Sequence, residues 1–326
     1  MMNRRELLKL AMAATATPLL AGAMRREEIP RRKLGRTGEV VTVIGLGGYH
    51  VGMQKTEDES VSLIRAAIDG GITFLDNCWD YNNGQSELRM GKALRDGYRQ
   101  KVFLMTKIDG RDHATAARQI DESLRRLGTD RLDLLQLHEV IRPDDPERIF
   151  AKGGALEAVL AARDAGKVRF VGFTGHKSPA IHQHMIETAD AHGFTWDTVQ
   201  MPLNVMDAHR DSFEKVVLPL ALARGMGIIG MKPMGDPFIL DSKTVTPVEC
   251  LQYTMSLPVS VCVTGIDSMA ILEQDLRVAR GFAPLSEAAA KAILAKTAAA
   301  AASGEFEKYK HTQHFDGTVQ HPEWLG

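Results

Sequence analysis

Four ionisable side chains stand at or just past the ends of apolar runs, where strands would deliver them to one rim of a sheet. Asp76 closes Ile72-Thr73-Phe74-Leu75, and Tyr81 follows five residues later. Lys107 closes Val102-Phe103-Leu104-Met105-Thr106, and His138 closes Leu132-Asp133-Leu134-Leu135-Gln136-Leu137. Buried strands that each stop on an ionisable residue need a reason beyond packing. A phenol alone is a poor acid near neutral pH, with a reference pKa of about 10. A neighbouring ammonium favours the phenolate and lowers that value. Lys107 can supply the ammonium, Asp76 can hold it charged, and His138 can hydrogen-bond on the other side of Tyr81. The chemistry this predicts is protonation of a carbonyl oxygen while hydride reaches its carbon. No side chain supplies hydride, so a cofactor must.

The elements that would position these groups alternate along the chain from residue 31 to 281. Arg31 to Val43 reads as a hairpin around Gly35-Arg36-Thr37-Gly38. Val41–Leu46 is the first expected barrel strand. Seven more follow: Ile72–Asp76, Val102–Lys107, Leu132–His138, Val168–Thr174, Thr198–Asn204, Gly227–Lys232 and Val259–Thr264. Helical periodicity fills the gaps, beginning at Thr56, which with Glu59 forms a capping box. Eight strands alternating with helices predict an α/β fold, a (β/α)8 TIM barrel with active groups at the C-terminal strand ends. A doubly wound sheet lacks its Gly-x-Gly-x-x-Gly after the first strand; Gly45-Leu46-Gly47-Gly48 has the wrong spacing. Leu285 to Ala302 predicts an extra helix. The tail from Glu305, with Phe306, Tyr309, Phe315 and Trp324, should dock on the barrel.

The constellation resembles the aldo-keto reductase family. The stretch from Phe74 to Glu87, continued by Gly91, Lys92 and Ala93, is similar to that family's signature around its Asp and Tyr. Met105-Thr106-Lys107 and Leu135-Gln136-Leu137-His138 match the motifs of its Lys and His. The spacings, 26 residues from Tyr81 to Lys107 and 31 from Lys107 to His138, are similar too. The resemblance covers residues 31 to about 281. It implies NAD(P)H-dependent reduction of an aldehyde or ketone, or the reverse oxidation, without metal. Tyr81 would be the acid/base, tuned by Asp76, Lys107 and His138.

Cofactor positions carry over by the same resemblance. Gln200 matches the Gln used on the nicotinamide amide. The family's Ser-Asn pair appears as Thr174-Gly175, so the Asn contact is lost unless His176 replaces it. Met231, followed by Lys232, stands where many members place an aromatic ring; Met can cover a ring face. Gly265-Ile266-Asp267-Ser268 opens a helix whose N–H groups can cradle a phosphate, with Gln274 an adenine or ribose contact. The basic residues of NADP-preferring relatives are absent there, and Asp267 disfavours a 2'-phosphate. The cofactor is thus NADP or NAD. Tyr49, His50 and Trp79 follow strands and are expected to line the substrate pocket.

Composition narrows the rest. The 326 residues carry a net charge of -1, which gives no basic field for nucleic acid or anionic lipid. Cys78, Cys250 and Cys262 are too few and scattered for a disulfide or metal framework. His182 with His184, and His311 with His314, read as surface residues. Residues 1–23 are expected to be a signal peptide. Arg4-Arg5 precedes a short, weakly apolar stretch ending in Ala21-Gly22-Ala23, similar to a twin-arginine export signal. That implies Tat export machinery as a partner and a periplasmic address, or a cytoplasmic one if the leader is not functional. The stretch is too weakly apolar for a stable membrane span. Residues 24–326 then form one domain acting on a small-molecule carbonyl. Two other readings use the same barrel: a catalytically weak nucleotide-binding subunit or sensor, and a lyase with Lys232 as a Schiff base.

Overall fold

Two short strands, β1 (Arg31–Lys33) and β2 (Val40–Thr42), pair antiparallel ahead of eight parallel ones. The parallel set is β3 (Ile44–Gly47), β4 (Phe74–Asp76), β5 (Phe103–Ile108), β6 (Leu132–Leu137), β7 (Val168–Thr174), β8 (Thr198–Pro202), β9 (Gly227–Met231) and β10 (Val261–Gly265). They close in chain order, β10 meeting β3, into the expected (β/α)8 barrel. This computed structural model describes residues 28–326, so the expected leader lies outside the described residues.

The helices are α1 (Gly48–Gly52), α2 (Glu57–Asp69), α3 (Gln85–Ala93), α4 (His113–Leu127), α5 (Asp145–Phe150), α6 (Ala155–Asp164) and α7 (Pro179–Ala191). Then come α8 (Phe213–Ala223), α9 (Phe238–Asp241), α10 (Pro247–Ser256), α11 (Met269–Arg280) and α12 (Glu287–Ala301). The tail adds α13 (Lys308–His311) and α14 (Gly317–Gln320). Thr56 and Glu59 form the capping box at α2. Helices α1, α5 and α9 are too short to show a period, and sequence reasoning missed them. Among the described residues no helix is long and apolar enough to cross a membrane.

The first barrel strand begins later than the sequence suggested. Val41 and Thr42 belong to the hairpin. The chain bends at Val43, whose N–H donates to Pro30 O at 2.9 Å. The hairpin thereby plugs the N-terminal end: Leu34 and Val41 join Phe74, Phe103, Met105, Leu134, Ile229, Val261 and Val263 inside the barrel. Gly35 (φ +54) lies so close to β9 that a Cβ would meet Gly227 N at 2.2 Å, so only glycine fits. With that end filled, the next inward positions face the open rim. Strand alternation puts Asp76 two residues past Phe74, and Lys107 two past Met105.

The tail crosses that rim, as its aromatic content suggested. Glu139, just past β6, accepts hydrogen bonds from the Gly317 and Thr318 N–H groups, both at 2.8 Å. His176 Nε2 meets Asp316 Oδ1 at 2.9 Å, and Arg142 donates to Thr318 O at 2.8 Å. Arg111 N–H donates to Leu325 O at 2.8 Å, and Gln119 Nε2 to Trp324 O at 2.9 Å.

Candidate active site

Lys107 is almost fully buried, and its ammonium is divided among three partners. It forms an ion pair with Asp76 Oδ1, donates to Asn77 O at 2.8 Å, and reaches the Tyr81 hydroxyl at 3.4 Å. Tyr81 starts a single 3-10 turn, Tyr81–Gly84, whose Asn82 and Asn83 take positive φ of 53° and 54°. Asparagine tolerates that conformation better than most residues. Asn82 Nδ2 pins the turn to Tyr49 O and Ser86 Oγ, both at 2.9 Å. The Tyr81 ring meets Tyr49 and His138 edge to face, with centroids 5.4 and 5.7 Å apart. The four expected groups are therefore brought together.

The electrostatics differ from expectation. Burial pushes the Tyr81 phenol well above its ordinary value, and Asp76, Cys78, Asp80 and Glu139 push it the same way. Lys107 does not reverse this, because its charge is held close to Asp76. In this state Tyr81 is a protonated phenol, an acid waiting for a base stronger than water.

His138 lies just beyond β6. Its Nδ1 meets Asp109 Oδ1 at 2.9 Å and Asp80 Oδ1 at 3.6 Å. Burial lowers its pKa, against the pull of Asp80 and Glu139. Burial raises Asp80 to about 7 and Asp109 to about 8, with Asp109 and Glu139 respectively adding to the effect. Cys78 completes a group whose potential ligand atoms lie within 4.8 Å of one another. Its thiol is buried and held far above its ordinary pKa, so it is no nucleophile. Sequence reasoning missed Asp80 and Asp109 as site residues. The signal was present: Asp109 lies two residues past Lys107, hence on the same face, and Asp80 adjoins Tyr81.

The cofactor positions divide into those at the catalytic group and those on the rim. Gln200 Nε2 donates to Asp76 Oδ2 at 2.5 Å, while its Oε1 is buried without a partner among the described residues. That orphaned acceptor fits the N–H of a carboxamide. Thr174 is buried, its Oγ1 4.0 Å from Met231 Sδ. Lys232 (φ 52) has no carboxylate within ion-pair distance among the described residues, and stands over the Tyr309 and Phe315 rings at 5.4 and 5.0 Å. A free ammonium there suits a phosphate. Ser268 caps α11 through Ile271 N, and Gln274 Nε2 reaches Asp275 Oδ1 at 3.4 Å. His176 is engaged by Asp316 and so does not stand in for the missing Asn.

Two of the three residues expected to line a pocket lie at the rim beside Tyr81. Tyr49 packs on Tyr81, and His50 Nε2 faces Asp236 Oδ1 at 3.5 Å across the rim. Gly265 lets the His50 ring approach; a Cβ would meet its Nδ1 at 2.4 Å. Trp79 is a correction. Its Nε1 donates to Glu122 Oε2 at 2.7 Å and its ring packs on Trp324, in the layer between strands and helices. The indole N–H needs a buried acceptor, and helix α4 supplies one. His182 is also not at the surface: it is buried against Phe173 and Phe213, its pKa pushed down to about 3 by burial.

Comparison with known proteins bears on this arrangement. The aldo/keto reductase family pattern matches residues 43–279. Aldo-keto reductase YhdN of Bacillus subtilis (strain 168) is 34% identical over 200 residues, 57% of this chain and 56% of the relative. The chain thus spans about half the length of that relative. Aldo-keto reductase AKR11C1 of Bacillus halodurans, in its holo form, superposes with a TM-score of 0.69 at 22% identity, over 82% of this chain and 96% of that one. The thermostable aldo-keto reductase Tm1743, solved with the inhibitor epalrestat, gives 0.64 at 21% identity, over 82% and 99%. These superpositions speak for the fold alone. The family match is stronger, because it runs from β3 to α11 and includes Asp76, Tyr81, Lys107 and His138. This chain belongs to the aldo/keto reductase family.

Proposed function

We propose that the protein reduces an aldehyde or ketone, or oxidises the matching alcohol, with Tyr81 as general acid or base. The supporting observation is the Tyr81 hydroxyl 3.4 Å from Lys107 Nζ, at the rim of a barrel whose other end is plugged. A nicotinamide dinucleotide, when bound, supplies or accepts the hydride. Gln200 Oε1 and Thr174 Oγ1 would hold its carboxamide, Met231 would cover a ring face, and Lys232 with the start of α11 would meet its phosphates. Tyr81 gives its proton to the oxygen as negative charge develops there. Lys107 then stabilises the phenolate left behind, and Asp76 keeps Lys107 in place. Asp267 weighs against a 2'-phosphate, so both NAD and NADP are to be tried.

Tyr81→Phe removes only the transferable proton. Carbonyl reduction is expected to fall by about 10²–10⁴-fold, the usual worth of general acid catalysis, with nucleotide affinity nearly unchanged. Turnover equal to the parent rules Tyr81 out as the donor. Bound nucleotide with no turnover of any carbonyl by the parent favours a binding or sensing role. On the leader sequence alone we also propose twin-arginine export. Arg4→Lys with Arg5→Lys should retain the protein in the cytoplasm, and unchanged fractionation would refute that address.

A further inference from the structure

The His138 imidazole is bonded to a carboxylate that the reductive chemistry described above does not use. Asp109 is fully buried, its Oδ1 is 2.9 Å from Nδ1, and its Oδ2 has no partner among the described residues. Asp80 Oδ1, 3.6 Å from the same nitrogen, is likewise unpartnered. The Asp109 backbone is clamped. Its N–H donates to Gln119 Oε1 at 2.9 Å, and its carbonyl accepts from Arg111 Nη1 at 2.6 Å. His138 Nε2 has no protein partner among the described residues, and its ring lies against Tyr81.

Proton accounting then decides what Nε2 can do. If Nδ1–H donates to an ionised Asp109 and no further proton is present, Nε2 is bare and can only accept. A carbonyl oxygen gaining negative charge needs donors. One more proton on the pair meets that need wherever it sits. A neutral Asp109 donating to Nδ1, or an imidazolium facing a carboxylate, both leave hydrogen on Nε2 and no net charge on the pair. We propose that Asp109, supported by Asp80, is the positioning residue for His138, and that the pair shares a proton which leaves Nε2–H as a second donor to the substrate oxygen. The kinetic part of this proposal rests on the carbonyl-reduction reading; the proton's location does not.

The surrounding charges agree. Asp76 faces the pair from the end of β4, Cys78, Asp80 and Tyr81 from the segment after it, and Lys107 from β5. Arg111 faces it from the loop after β5, and Glu139 and Arg142 from the loop after β6. Burial first, then Glu139, pushes the Asp109 carboxyl up to about 8; Arg111, Lys107 and Arg142 only moderate this.

The test reads the imidazole nitrogens of His138 by 15N NMR between pH 5 and 10, with kcat measured over the same range. The parent should show Nε2–H at pH 7, lost in one alkaline step that kcat follows. In Asp109→Asn the amide can donate to Nδ1 at every pH, so Nε2–H should persist and the alkaline limb of kcat disappear. Asp109→Ala should lose the uniform Nε2–H signal and about 10–100-fold in kcat, with nucleotide affinity kept. Asp109→Asn should recover most of that loss. Should both variants fail to fold, Asp80→Asn serves. Removing a negative neighbour should move the alkaline step down by about one pH unit. A bare Nε2 in the parent at pH 7 overturns the proposal. So does an unmoved step in Asp80→Asn, or stoichiometric metal retained by the purified protein, since Asp109 and His138 would then be its ligands. The expected NMR pattern with no carbonyl reduced would sink the enzymatic reading and leave this one standing.

Discussion

The way Lys107 divides its ammonium governs both the stability and the acidity of the site. Asp76 is buried with it, so removing either partner alone leaves an uncompensated charge. Lys107→Met should therefore abolish activity and cost about 3–5 kcal/mol in stability, the usual penalty for breaking a buried pair. Pairing it with Asp76→Asn should restore most of the stability, measured by denaturant unfolding, and none of the activity. A double variant as unstable as the single one would show that packing, and not charge, is at stake. Asp76, Lys107 and His138 were legible because each ends an apolar run, and Tyr81 because it follows Asp76 by five residues. The sign of the shift at Tyr81 was not, because sequence shows which charges are near but not how deeply they are buried. Trp79 shows the same gap: its position after a strand suggested a pocket, yet an indole N–H follows its acceptor, and Glu122 lies 43 residues away.

At the scale of elements, period-two alternation did most of the positioning. Inward residues of β5 run Phe103, Met105, Lys107, and the same count continued past the strand reaches Asp109. The strands were legible to within a few residues. The largest late start is β3, at Ile44 and not Val41, because the antiparallel pairing of β2 competed for Val41 and Thr42; β4 and β10 also begin later, at Phe74 and Val261. Helix α1 could not be seen, since five residues hold too few turns for an apolar spacing to repeat, yet it carries Tyr49 and His50. Its seating depends on a bare backbone in β10. Gly265→Ala should push the His50 ring from Asp236 and raise KM for carbonyl substrates several-fold, with kcat changed little. Steady-state kinetics decides this, and an unchanged KM would place His50 outside the pocket.

Across the whole molecule, the tail is held by groups that titrate with one sign. Burial lowers His176. Burial would raise Glu139 and Asp316, but His138, His176 and Thr318 hold Glu139 below its usual range, and His176 and Lys177 do the same for Asp316. In each case the unfolded chain binds protons more readily than the docked one, so docking strengthens with pH. It should be complete above about pH 6.5, the ordinary histidine value, and weaken as pH falls through it and then through the carboxylate range. Proteolysis of the tail at pH 5 but not at pH 7.5, with the barrel intact, is the expected result. Equal cleavage at both values would mean that other contacts dominate. The tail's aromatics made docking legible, but its partners were not, because Arg111 and Gln119 lie some two hundred residues upstream.

That separation has a consequence in time. Gln119 waits 205 residues for the carbonyl of Trp324. At about 5–20 residues per second, a ribosome needs roughly 10 to 40 s to cover that stretch. A nascent chain can thus curl its early strands together while the entrance still lacks its cover. The rim groups Glu139, Arg142 and His176 are thus made well before the segment that covers them.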